Sequence, residues 1–199
     1  MKVSLDCLPC FLNHALVTAR RLTLSEVATK RIMLRVIKEI EGFEAFEVTT
    51  LLTRRIQDIL IEETGCRDLY ENEKHQANAW ALEFLNERLS GKVPLGFAET
   101  VRLAVAGNII DLGANPNLKA ETVRETLERV VHSKFHVDHI HRLERAVKEA
   151  KNILYLGDNA GEIVFDKLLI SKMPTGRVHF TVRGGPILND VTRRDAEEV

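Results

Sequence analysis

The sequence predicts an α/β protein: an all-helical region over residues 1–150, then the opening of a doubly wound parallel sheet over 151–199. Three observations predict it. Apolar residues recur at helical spacing through the first three quarters of the chain. At Asn152 that period gives way to a short apolar run, Ile153-Leu-Tyr-Leu156. One helix later a second run, Arg177-Val-His-Phe-Thr-Val182, alternates apolar and polar, so the order is β-α-β and then the start of another α.

The elements follow in order. Thr23-Leu-Ser-Glu26 has the form of a capping box, in which hydroxyl and carboxylate satisfy free backbone donors reciprocally. The helix after it places Met33, Val36, Ile37 and Ile40 on one apolar stripe. The next carries Leu51, Leu52, Ile56, Ile59 and Leu60, and Gly65 is its stop. Further helices are expected around Glu71–Leu89, Phe97–Ile109, Ala120–Val131 and Val137–Ala150. Turn chemistry separates them at Ser90-Gly91, Pro94 and Gly113-Ala-Asn-Pro116.

The run at Ile153 is compatible with a strand buried on both faces. A helix from Gly161 to Leu169 ends at Met173-Pro-Thr-Gly176, and Thr192-Arg-Arg-Asp195 opens another after the second strand. Two parallel strands alone leave faces and edges uncovered. The expectation is therefore a longer natural product, or a second chain that completes the sheet.

Lysine plus arginine number 28 against 29 acidic residues, a net charge of −1, so no basic field points to a nucleic-acid polymer or a membrane surface. Met1-Lys2 leads into polar residues with no apolar leader core and no spanning segment, which predicts a cytoplasmic protein. Three cysteines, Cys7, Cys10 and Cys66, argue against a secreted disulfide framework. Cys7, Cys10 and His14 share a helix face but lack a fourth zinc ligand, and buried reduced thiols are the expected outcome. His132, His136, His139 and His141 read as solvated or capping residues ahead of the first strand.

The chemistry concentrates at Asp158-Asn-Ala-Gly-Glu162, where the first strand meets its helix. In open α/β sheets ligands bind at the carboxyl ends of the strands. Asn189-Asp190 lies in the loop after the second strand, and parallel neighbours bring both loops to one edge. Two carboxylates and an amide oxygen are hard donors suited to Mg²⁺, Mn²⁺ or a similar octahedral cation. The N-terminus of the helix adds a partial positive charge that favours an anion beside the cation, and phosphate is the natural one. Arg183 would hold phosphoryl oxygens and Glu162 would orient or deprotonate the attacking water. The plain alternative is that Asp158 and Asn159 cap a helix.

Asn108 and Asp111 follow an apolar helix and would hold water or substrate hydroxyls, or else cap that helix. Asp68, Tyr70 and Lys74 could form a substrate wall with Lys74 as a phosphate point charge, or a first helical turn with a surface lysine.

Taken together, Gly157-Asp-Asn-Ala-Gly-Glu162, Val182-Arg-Gly-Gly-Pro-Ile-Leu-Asn-Asp-Val-Thr192 and Asp195-Ala196 resemble the DUF89 family of metal-dependent damage-control phosphatases, in its stand-alone archaeal-type members. Upstream motifs agree: Cys7-x-x-Cys10, Asp68-x-Tyr70-x-x-x-Lys74-x-x-x-Asn78, Gly107-Asn108-x-Ile110-Asp111 and Phe135-x-Val137-Asp138.

The resemblance implies a helical N-terminal domain and a Rossmann-like domain holding a divalent metal (Mn²⁺, Ni²⁺, Co²⁺ or Mg²⁺) on Asp158, Asn159 and Asp190. It implies hydrolysis of small phosphorylated metabolites such as sugar phosphates, phosphopantetheine, or damaged purine nucleotides and their precursors. The chain ends where the family continues, and a basic residue near the phosphate would lie in the part beyond. Some eukaryotic relatives have been described as carboxyl methyltransferases, so S-adenosylmethionine-dependent methyl transfer is one alternative. A non-catalytic module that binds a phosphometabolite is another. Oligomeric state stays open.

Overall fold

The structure is a computed structural model that describes residues 3–42, 48–90, 94–110 and 119–199. The chain divides into two compact units, Met1–Leu69 and Tyr70–Val199. The division expected at residue 150 follows the change from helix to strand. By contact, the helices between 71 and 149 belong with the strands.

In the first unit α1 (Cys7–Arg21), α2 (Glu26–Glu41) and α3 (Thr49–Thr64) pack on one another. The cap of α2 is Ser25 rather than Thr23: its side chain accepts from the Ala28 N–H at 3.2 Å. Thr23 stands in the left-handed region at φ 53 and turns the chain instead. The buried stripe of α2 is Thr29, Ile32 and Val36, while Ile37 is exposed, so the stripe lies rotated from the expected one. Gly65 ends α3 at φ 71, its N–H donating to the Ile61 carbonyl at 2.8 Å, the left-handed stop its sequence position suggested. All three cysteines are free thiols; Cys10 is exposed, against the burial expected of the Cys7 and Cys10 pair, and Cys66 is exposed as well.

The second unit contains α4 (Glu71–Leu89), α5 (Phe97–Gly107), α6 (Ala120–His132), α7 (Ile140–Glu149), β1 (Ile153–Leu156), α8 (Glu162–Ile170), β2 (Val178–Thr181) and α9 (Arg193–Glu198). Helix α7 begins three residues later than expected because Asp138 Oδ1 accepts from the Ile140 N–H at 3.0 Å and holds the preceding turn out of the helix.

The core gathers Phe84, Leu103, Ile110, Leu127, Phe165 and Val191, all nearly or fully excluded from solvent. Phe84 and Phe165 meet edge to face with centroids 6.1 Å apart. Helices α5 and α8 pack directly against each other. Gly107 makes that approach possible, since a Cβ there would lie 2.6 Å from Phe165 Cδ2 and 3.2 Å from Glu162 Cα.

β1 and β2 pair in parallel, with Ile153 opposite Val178 and Leu156 opposite Thr181. Burial alternates along both strands, so the strand expected to be covered on two faces is covered on one. Leu154 and Leu156 are 67% and 69% exposed, whereas Ile153, Tyr155, Val178 and Phe180 pack on the core. An all-apolar run such as Ile-Leu-Tyr-Leu hides this asymmetry, because both faces read alike.

Replacing Gly107 with alanine should destabilise the protein by about 1–3 kcal/mol, the usual cost of overpacking a tight contact. Urea unfolding of the two forms measures this, and equal midpoints would show that Phe165 can yield.

Candidate functional site

Beyond the last residues of the two strands, the sheet ladder continues as backbone pairing between loops. The Gly157 N–H donates to the Thr181 carbonyl at 2.9 Å and closes the ladder. The Val191 N–H then donates to the Asp158 carbonyl at 2.7 Å, and the Ala160 N–H to the Asn189 carbonyl at 3.0 Å. Asn159 and Asp190 thus stand opposite each other in an isolated antiparallel bridge. Residues 31 positions apart in sequence are brought side by side by backbone bonds.

The side chains complete the cluster. Asn159, 7% exposed, donates through Nδ2 to Asp158 Oδ2 at 3.3 Å, which leaves its oxygen as the atom with capacity to ligate. Arg183 spans the two acids: its Nε donates to Asp190 Oδ2 at 2.6 Å and its Nη2 lies 3.7 Å from Asp158 Oδ1. One cationic group reaching both carboxylates shows that they face a common point. The Asn189 side chain is buried at its amide nitrogen with no hydrogen-bond partner among the described residues. Leu188, just before it, sits at φ 49, a left-handed conformation that costs a non-glycine residue about 1 kcal/mol. Strain of this kind persists where neighbouring structure over-determines the backbone, and here it sets the aim of Asn189 and Asp190.

Behind this edge, Gly161 begins the turn into α8 at φ 89, and Glu162 is the first helical residue. Asn108, the C-cap of α5, donates through Nδ2 to Glu162 Oε2 at 3.0 Å. The helix-cap position was one of the two roles expected for Asn108; its contact with the Glu162 carboxylate was not foreseen. Asp111 lies outside the described residues. Lys74 is 1% exposed and its Nζ donates to Asp195 Oδ2 at 2.6 Å. Its burial rules out the surface lysine that was the plain alternative to a phosphate point charge, and its ammonium is held by Asp195. Asp68 lies in the first unit, half-buried, with Cys66 Sγ donating to its carbonyl.

One carboxyl group escaped the sequence reading altogether. Asp166, on α8, is 1% exposed and accepts from the Tyr155 hydroxyl at 2.5 Å. Burial pushes it up to about 7; the Tyr155 hydrogen bond opposes that rise, and the charges of Glu162 and Asp158 add to it. Tyr155 itself is driven well above its ordinary value by burial and by Asp166. In a linear reading Asp166 looks like the polar face of an amphipathic helix; only tertiary packing, with Tyr155 of β1 bonded to its carboxyl group, buries it.

Among the described residues no three His, Cys, Asp or Glu side chains converge as a metal cluster. The set that does converge uses an amide as its third member. Asp158, Asn159 and Asp190 nevertheless suit a hard divalent cation, because oxygen donors and partial exposure leave room for water ligands. Arg183, with half its side chain exposed, can hold an anionic oxygen beside them.

The chain is similar to known proteins along nearly its whole length. The sequence model of the family described as damage-control phosphatase ARMT1-like domain matches residues 3–199. A damage-control phosphatase of Pyrococcus horikoshii is 29% identical over 199 residues, which span 98% of this chain and 68% of that one. A damage-control phosphatase of Archaeoglobus fulgidus is 29% identical over 204 residues, 98% of this chain and 69% of its own. A crystal structure of a DUF89 family protein from Pyrococcus horikoshii superposes with a TM-score of 0.82 at 28% identity, covering 100% of this chain and 70% of that one.

The buried Asp166 makes a pH prediction. Its folded value lies above the roughly 3.9 of an unfolded aspartate, so between about pH 4 and 7 the folded state holds the extra proton and stability falls as pH rises. Asp166→Asn removes this component. The stability of the variant relative to wild type should climb by roughly 1.4 kcal/mol per pH unit across that window. Urea unfolding from pH 4 to 8 reads it directly, and parallel profiles would mean that Asp166 ionises freely.

Proposed function

The chain belongs to the damage-control phosphatase ARMT1-like domain family, and from that premise we propose that it is a divalent-metal-dependent phosphatase acting on small phosphorylated metabolites. The observation that carries this reading is the backbone bridge that sets Asp158, Asn159 and Asp190 around one point, with Arg183 beside them. We read β1, α8 and β2 as the opening of a Rossmann-like sheet, whose carboxyl edge is where such ligands bind. No described helix is long and apolar enough to cross a membrane.

When bound, the cation (Mn²⁺, Ni²⁺, Co²⁺ or Mg²⁺) supplies a Lewis acid that withdraws phosphoryl charge and acidifies a water. Asp158 and Asp190 provide its anionic ligands and Asn159 a neutral one. Arg183 exchanges its contact with the carboxylates for a phosphoryl oxygen, and the positive end of the α8 dipole favours the same anion. Glu162 accepts the proton of the attacking water, its carboxylate held by the Asn108 amide. The reaction is then displacement at phosphorus: water oxygen bonds to phosphorus as the bond to the ester oxygen breaks, the leaving oxygen takes a proton from solvent, Glu162 returns its proton to solvent, and inorganic phosphate and an alcohol result.

Release of phosphate from p-nitrophenyl phosphate, sugar phosphates and nucleotides, each with Mg²⁺, Mn²⁺, Co²⁺ or Ni²⁺, tests the proposal. Wild type should turn over only with metal, and Asp158→Ala should fall to the metal-free rate. Glu162→Gln should lower kcat by about 10²–10⁴-fold with little change in KM, as loss of a general base does. Turnover by Asp158→Ala equal to wild type would remove the ligand assignment. Metal binding without turnover on any ester would favour a non-catalytic phosphometabolite binder.

A further inference from the structure

Helix α4 contacts both loops that carry the candidate ligands. Lys74 and Asn78 are four residues apart, hence on one face of the helix. Asn78 Oδ1 accepts from the Gly161 N–H at 2.7 Å, a buried bond that fixes the turn two residues after Asn159. Lys74 Nζ donates to Asp195 Oδ2, and that same oxygen accepts from the Thr192 N–H at 2.8 Å and the Thr192 hydroxyl at 2.6 Å. Thr192 lies two residues after Asp190. Asn78 therefore holds its loop directly, two residues from Asn159, and Lys74 holds the other through the Asp195 carboxylate on α9, which grips Thr192 two residues from Asp190.

The contact leaves little slack. A Cβ on Gly161 would lie 3.2 Å from Ala77 Cβ on α4 and 2.9 Å from Ile110 Cγ2. The turn rests directly on the helix backbone face that holds Lys74 and Asn78. Lys74 and Asp195 are both buried, at 1% and 6% exposure. A buried ion pair contributes little net stability compared with an apolar pair of the same volume, because desolvation offsets the attraction. Its directional bonds instead select one arrangement of the groups they join.

We propose that Lys74 and Asn78 are positioning residues that use α4 as a rigid ruler, fixing the span between Asp158-Asn159 and Asp190 to the size of one divalent cation. The proposal rests on the metal-site reading above and assigns to α4 the spacing of its ligands. The backbone bridge joins the two loops to each other; α4 fixes both to the body of the unit. Partners of this kind, one step removed from the ligands, commonly govern metal affinity by about 10–100-fold.

The test is Mn²⁺ binding to the full chain, followed by the loss of the free-ion paramagnetic resonance signal, together with amide hydrogen exchange. Asn78→Ala removes the acceptor for Gly161. The double variant Lys74→Met/Asp195→Asn cuts the tie to α4 without leaving an unpaired charge, and keeps an oxygen for Thr192. Both should weaken Mn²⁺ binding by about 10–100-fold while thermal unfolding stays cooperative. Exchange should quicken at residues 158–161 in the first variant and at 190–195 in the second. Asn78→Asp retains the acceptor oxygen and should restore wild-type affinity.

Wild-type affinity and exchange in both variants would overturn the proposal, as would failure of Asn78→Asp to rescue. If wild type itself binds no Mn²⁺, the metal reading falls, and with it the role assigned to α4 in spacing ligands. Exchange then still distinguishes a rigid tie from none.

Discussion

The antiparallel bridge between Asn159 and Asp190 is the constraint on which the candidate site depends. Parallel strands bring their carboxyl ends to one edge, but the loops beyond them are free to diverge. Here the chain reverses after Leu188, so that Asn189 and Val191 pair with the residues flanking Asn159. Backbone hydrogen bonds bring the two carboxylates near each other, and the mutual repulsion between them is borne by the backbone. Arg183 reduces that repulsion by lying against both.

The same edge is supported from behind by close packing. Gly107 allows α5 to press on α8 at Glu162 and Phe165, and this brings Asn108 to the Glu162 carboxylate. Glu162 is therefore oriented by a residue 54 positions earlier. Beneath it, Asp166 and Tyr155 share a hydrogen bond in a nearly dry setting, where burial keeps the carboxyl protonated to higher pH than an exposed one. The layer nearest solvent thus holds carboxyl groups and an arginine, while the layer behind it holds a carboxyl group that burial makes harder to ionise. A negative charge on Asp166 would lie close to those of Asp158 and Glu162, and its suppression lowers the anionic load on the edge.

How much of this was legible in the sequence varies with the range of the interaction. The left-handed stop at Gly65 and the change of period at Asn152 are local signals, and the structure follows them. The cap of α2 was misplaced by two residues because Thr23 and Ser25 are both good caps, and only Ser25 has the backbone geometry to reach the Ala28 N–H. The one-sided cover of β1 was hidden by an unbroken apolar run. Lys74 and Asn108 were recognised as notable, but their partners were not. Nothing within four or five residues of either reveals Asp195 or Glu162 as its partner.

By itself, the sequence determined the order and type of the elements and put two acids and an amide at strand–helix turns. Those follow from hydrophobic period, turn residues and caps, all of which act within a few positions along the chain. The tertiary structure decided which of those polar groups meet, which are buried and which are already paired. Such choices depend on contacts between residues 31, 54 and 121 positions apart. Burial then sets the charge each group carries, because the cost of ionisation depends on the surroundings of a side chain and not on its neighbours in sequence.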